Sequence, residues 1–286
     1  MINLRRGSNL FRIGLLRQNE ISRMARNDTS RRIVMKMRSI VLSFLLVLFS
    51  SVSAFAEDLT VAVAANVQYT FEELKAEFQK ETGINVKQII GSSGKFTTQI
   101  ENGAPFDVFL SADMDYPKTL EKEGLAYNSS KIYAYGTLVL WTMNNVDLSK
   151  GLKAVNDSSV RKIAIASPNT APYGRQAVNA LKHYNLYSQV QKKLVYGESI
   201  AQANQFITSK AADIGFTAKS VALAPNMKDQ GKWIEIEKDA YEPIAQGAVI
   251  LNHAKKDNVE SAQKFFNFLF SNEAQEIFKK YGYVLP

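Results

Sequence analysis

From Glu57 onward the chain keeps changing its hydrophobic period, and that alternation limits the available folds more than any other feature. Leu59–Ala64 (LTVAVA) is an unbroken apolar run of strand length, and after it Phe71, Leu74 and Phe78 recur at helical spacing. Val86–Ile90 reads as a second strand, closed by the turn Gly91-Ser92-Ser93-Gly94. A helix carrying Phe96 and Ile100 stops at Gly103 and Pro105, and Asp107–Ser111 is a third strand. Leu138–Thr142, Ile163–Ala166, Leu194–Tyr196, Ile214–Thr217 and Pro243–Leu251 continue the strands. Helical stretches such as Gln176–His183 and Ala201–Ser209 lie between them, and Val259–Tyr281 gives two helices with Phe265, Phe266, Leu269, Ile277 and Phe278 inward. Strand and helix in alternation predict an α/β fold with largely parallel sheets, of roughly nine strands, as one sheet or as two small lobes. No linker rich in Pro, Gly or Ser and no internal repeat divides it.

The formal charge of +8 points towards nucleic acid or an anionic membrane until it is located. Residues 1–56 hold 10 of the 35 Lys and Arg but only Glu20 and Asp28 among the acids, leaving 25 of each sign and no net charge in the remainder. The basic segment reads as an extension followed by a secretory signal. Arg31, Arg32, Lys36 and Arg38 precede the apolar run Ile40–Phe49, and Ala54-Phe55-Ala56 supplies an A-x-A cleavage pattern. A ten-residue run, apolar but for Ser43, falls short of the ~20 needed to span a bilayer, although an anchor continuing through Ser50–Ala56 is the alternative. Processing there would start the mature chain at Glu57, with Met1, Met35 and Met37 as candidate starts. The absence of Cys excludes disulfides, thiolate metal sites, a Cys nucleophile and N-terminal lipidation. His183 and His253 are the only histidines, too few for a multi-histidine metal centre.

In parallel sheets ligands lie beyond the carboxyl ends of strands, at helix starts. Four such turns share one chemical character: Ala64-Ala65-Asn66, Gly91-Ser92-Ser93-Gly94, Pro172-Tyr173-Gly174 and Gly197-Glu198-Ser199-Ile200-Ala201. Each opens a helix with free backbone N–H groups, and three add a neutral donor from Asn66, Ser92 or Ser93, or Tyr173, a combination suited to a fully ionised oxyanion. Plain helix capping by Ser and Asn is the competing explanation for any one of them. Other motifs are weaker. Gly197-x-Ser199-x-Ala201 approximates a nucleophile elbow but lacks its second Gly, and a secreted serine hydrolase would need His183 or His253, which sit in charged, surface-like contexts. Gly94-Lys95 fails as a phosphate loop because Ile89 and Phe96 stand where Gly and Ser or Thr are required. Asp107, Asp113 and Asp115 could suggest a metal site, but Lys118, Lys122 and the sheet edge offer ordinary partners, and Asp107 is placed to brace the adjoining turn.

The residues resemble the periplasmic molybdate-binding proteins of ABC transporters, within the type II periplasmic-binding-protein fold, over essentially all of residues 58–286. The most specific segment is 99–113 (QIENGAPFDVFLSAD), supported by Val61–Asn66, Gly91–Gly94, Ala166–Gly174 and Phe278–Tyr283. The resemblance implies a two-lobed α/β protein with a hinge; the strand count and the absence of a linker place lobe 1 at about residues 57–138 and 250–286 and lobe 2 at about residues 139–249, with crossings near Leu138–Leu140 and Ala248–Leu251. It implies that molybdate, and tungstate with it, is held through its oxygens by Ala65, Asn66, Ser93, Tyr173 and the N–H of Ile200. Many members have Ser where Asn66 stands, and some carry a Tyr donor near the position of Ala218, leaving a role for Thr217 or Ala218 open. It further implies a non-enzymatic, exported monomer without a resident cofactor that hands its anion to a membrane permease and does not bind nucleic acid. Sulfate or another tetrahedral oxyanion is the alternative ligand. Molybdate and tungstate carry no proton at neutral pH, so such a site needs donors and no acceptor, whereas partly protonated phosphate calls for a carboxylate. Glu198 is the nearest acid and is expected to point away.

Overall fold

In the computed structural model, which describes residues 58–286, the chain forms two five-stranded sheets. The proposed signal and its cleavage site lie outside the described residues. The first sheet has the order β2-β1-β3-β10-β4, from Val86–Gly91 (β2), Leu59–Ala64 (β1), Val108–Leu110 (β3), Ile244–Ile250 (β10) and Lys131–Gly136 (β4). The second has the order β7-β6-β8-β5-β9, from Leu194–Gly197 (β7), Ile163–Ala166 (β6), Ile214–Ala218 (β8), Leu138–Thr142 (β5) and Lys232–Glu235 (β9). β1 pairs parallel with both β2 and β3, and β6 pairs parallel with both β7 and β8. β10 and β5 are the reversed strands, each antiparallel to both of its neighbours. Four strands of each sheet therefore run one way, as the alternation of periods predicts.

The first strand is apolar on both faces because both are covered. Leu59, Val61 and Val63 pack with Phe71, Leu74 and Phe78 of α1 (Gln68–Thr82) and with Phe265 and Phe278 of the two C-terminal helices. Ala62 turns the other way, towards Phe96 and Ile100 of α2 (Ser93–Glu101) and Leu120 of α3 (Asp115–Lys122). α1 ends where Gly83 takes φ +73°, a left-handed stop that a side chain would strain. The second sheet buries its own cluster, including Trp141, Ile165 and Phe216, under α4 (Pro172–His183) and α6 (Ile200–Thr208), with the short helix α5 (Tyr187–Val190) between them in sequence. Pro172 opens α4 at its first position, where the missing N–H costs nothing.

The chain crosses between sheets twice. The outward crossing is at Thr137, between β4 and β5, close to the predicted Leu138–Leu140. The return departs from the expected Ala248–Leu251. Ile244 already pairs with Gly136 and Ala248 with Leu110, so all of β10 belongs to the first sheet and the chain returns between Ala240 and Ile244. In sequence Pro243–Leu251 reads as one apolar strand, and no local pattern states which sheet owns it. The described residues hold ten strands, β4 and β9 being additional to those read from the sequence.

Candidate functional site

In each sheet one strand lies between the two that follow it: β1 between β2 and β3, β6 between β7 and β8. Successive connections there leave in opposite directions, which opens a crevice at the strands' carboxyl ends. The turns after β1, β2, β6 and β7 enclose one small cavity, lined among others by Ala65, Asn66, Ser92, Ser93, Tyr173 and Ile200. All five residues expected at the site are brought together. Its volume is about 10 Å³, far below the roughly 300–1,000 Å³ of sites for organic ligands, so only a small ligand suits it. A groove of about 560 Å³ nearby, lined by Gln68, Glu72, Gln88 and Asn204 among others, includes none of the five.

The wall carries no charged side chain. Ser93 and Ile200 are the first residues of α2 and α6, and Tyr173 the second of α4, so their amides have no acceptor within their own helices. Asn66 sits in a single 3-10 turn, Ala65–Val67, directly after β1. The Ser93 hydroxyl oxygen accepts from the Ala112 amide at 3.0 Å, which leaves its proton free to donate. Ser92, also buried, has a hydroxyl with no partner among the described residues, a donor beyond the five. Tyr173 is 1% exposed, and burial pushes its phenol well above the usual range, so it keeps its proton. Two glycines make room. A Cβ on Gly174 would collide with the Ala166 carbonyl, and one on Gly136 with the Tyr173 hydroxyl.

Asn66 differs from expectation in how it presents itself. Its side-chain amide donates to Gln246 Oε1 at 2.6 Å and to Tyr283 Oη at 3.4 Å, both outside the cavity lining. Its carbonyl accepts from Ser220 Oγ at 2.8 Å and Tyr283 Oη at 3.1 Å. Ser220 lies on α7 (Lys219–Ala222), just past Thr217 and Ala218, neither of which lines the cavity. Gln246, Tyr133 and Tyr283, all buried, complete a polar network behind the wall that sequence reading missed. The available signal was Gln246 itself, a lone amide in an otherwise apolar strand.

Charges stand outside this wall and join the two sides. Lys95 of α2 pairs with Glu198 at 2.7 Å, both half-exposed. Asp113 pairs with Arg175 of α4, and not with Lys118 or Lys122 as the sequence suggested. Burial raises the Asp113 carboxyl above its usual range, against the opposing pull of Arg175. The Gly94 amide donates to the Thr170 carbonyl at 2.9 Å, and Tyr116 Oη to that of Asn169 at 3.3 Å. Asp107, 1% exposed, accepts from the Thr60 amide and Asn258 and faces His253 Nδ1 at 3.0 Å, the bracing role expected of it. His253 is thus engaged at Asp107, and the His183 ring packs on Tyr184, so Ser199 has no histidine hydrogen-bonded to it among the described residues.

Residues 59–284 match the family of bacterial extracellular solute-binding proteins. The chain belongs to that family. Among relatives in it, the molybdate-binding protein ModA of Azotobacter vinelandii is 40% identical over 234 residues, covering 82% of this chain and 92% of the relative. ModA of Rhodobacter capsulatus is 40% identical over 241 residues, covering 84% and 93%. The solved structure of the periplasmic molybdate-binding protein of Azotobacter vinelandii superposes with a TM-score of 0.74 at 37% identity, over 80% of this chain and all of that one. The two-lobed type II architecture is that of these solute-binding proteins.

Proposed function

We propose that this chain is the solute-binding component of a molybdate importer and that it captures molybdate, and tungstate with it, in the cavity between the two sheets. The observation that carries the reading is the convergence of Ser92, Ser93, Tyr173 and the first-turn amides on one small space without a charged side chain. Desolvating an unpaired dianion costs far more than one hydrogen bond returns. Several charge-assisted bonds of ~2.7–2.9 Å must therefore close around it together, with helix starts supplying positive potential in place of Lys or Arg. The wall offers no carboxylate to accept a proton, so a fully ionised anion suits it better than phosphate. The similarity to two molybdate-binding proteins at 40% identity supports the same ligand. In this reading the protein is exported, acts as a monomer without catalysis or a resident cofactor, and releases the anion to a membrane permease. Calorimetric titration of residues 57–286 with molybdate, tungstate, sulfate and phosphate tests it. Tight binding of the first two alone is expected, and binding of phosphate in their place would overturn it.

A further inference from the structure

Gln246 is fully buried in β10, where the register slips between it and Gly247. A primary amide in such a place destabilises the fold unless its groups are hydrogen-bonded. Its oxygen accepts from Asn66 Nδ2 at 2.6 Å and from Tyr133 Oη at 2.8 Å, which uses both of its lone pairs. Its Nε2 is left facing Tyr173 Oη at 3.5 Å. That contact is long, and its sign matters more than its strength, because an N–H aimed at a phenol oxygen turns the phenol's own proton elsewhere. Tyr173 lines the cavity, where that proton is available to a ligand.

We propose that Gln246 is a positioning residue that sets the hydrogen-bond polarity of the anion cavity, holding Tyr173 as a donor towards the ligand. The proposal rests on the oxyanion reading of the same cavity and extends it to a specificity device outside the wall. Tyr133 is part of the device, because its proton pins the Gln246 oxygen away from Tyr173. Burial raises the Tyr133 phenol well above its usual range, so it remains a donor throughout the physiological range. With the amide so pinned, Tyr173 is a donor towards the anion, and the wall holds no carboxylate to accept a proton from a protonated oxyanion.

The test is a double-mutant cycle read by molybdate titration. Tyr173→Phe alone should weaken binding by about 10- to 150-fold, the loss of one hydrogen bond to a charged group. Gln246→Met, which keeps the volume and removes the polarity, should weaken it at least severalfold, and the double variant should be little worse than Tyr173→Phe alone. Tyr133→Phe, a milder change that frees the amide to turn over, should show the same lack of additivity with Tyr173→Phe and keeps the test intact if Gln246→Met fails to fold. Factors that multiply in both cycles would overturn the proposal, since a residue acting only on packing or closure would be independent of the Tyr173 hydroxyl. Wild-type protein that binds no molybdate would instead sink the ligand assignment.

Discussion

The wall of the cavity and its rim are built from opposite chemistries. Inside, Ser92, Ser93, Tyr173 and four helix-start segments provide neutral donors with almost no exposure to water. A few residues outward, Lys95–Glu198 and Arg175–Asp113 join the same two sides by charge. The difference shows a division of labour. A buried Lys or Arg would attract any anion and would itself need desolvating, whereas oriented N–H and O–H groups discriminate by geometry and protonation. The half-exposed Lys95–Glu198 pair is weak in water and screened by salt, so it suits a closure that must reopen.

The comparison breaks most sharply if a charge is moved into the wall. Ser93→Asp places a carboxylate against the anion and should abolish measurable molybdate binding in a calorimetric titration while the apo protein still unfolds cooperatively. Ser93→Ala is a gentler version. It removes one donor and should weaken binding by about 10- to 150-fold, and an unchanged affinity would mean that the hydroxyl does not reach the ligand. Changes at the rim should act on closure. Arg175→Gln leaves the largely buried Asp113 without its cation, so stopped-flow release of molybdate should be severalfold faster, with a smaller change in association. Lys95→Ala removes an exposed pair worth at most about 1 kcal/mol, hence less than roughly fivefold in affinity, and titrations at rising salt should erase even that difference.

Most of this arrangement was legible before the structure. Strand-to-helix turns can be read from the change of hydrophobic period, and parallel strands place their turns on one edge, so Asn66, Ser93, Tyr173 and Ile200 could be grouped although well over a hundred residues separate the first from the last. What escaped depends on long-range pairing. The edge strands β4 and β9 are partly exposed and carry charged ends, so their apolar signal is diluted. The ownership of β10 is decided by pairing with Gly136 and Leu110, which no local pattern encodes. The Asp113–Arg175 pair joins residues from different lobes, while the local lysines offered a nearer but unused solution. The Gln246 network is likewise invisible without register, since it draws Asn66, Tyr133, Tyr173 and Tyr283 from four separate segments of the chain.

A crystal structure of the molybdate complex tests the central claim most directly. The account predicts the anion in the small cavity, with its oxygens about 2.7–3.2 Å from Ser93 Oγ, Tyr173 Oη and the Asn66 and Ile200 amides, and with Lys95 and Arg175 still paired to Glu198 and Asp113. An anion held by the Lys95 ammonium or the Arg175 guanidinium, or seated in the neighbouring groove beside Asn204, would contradict it.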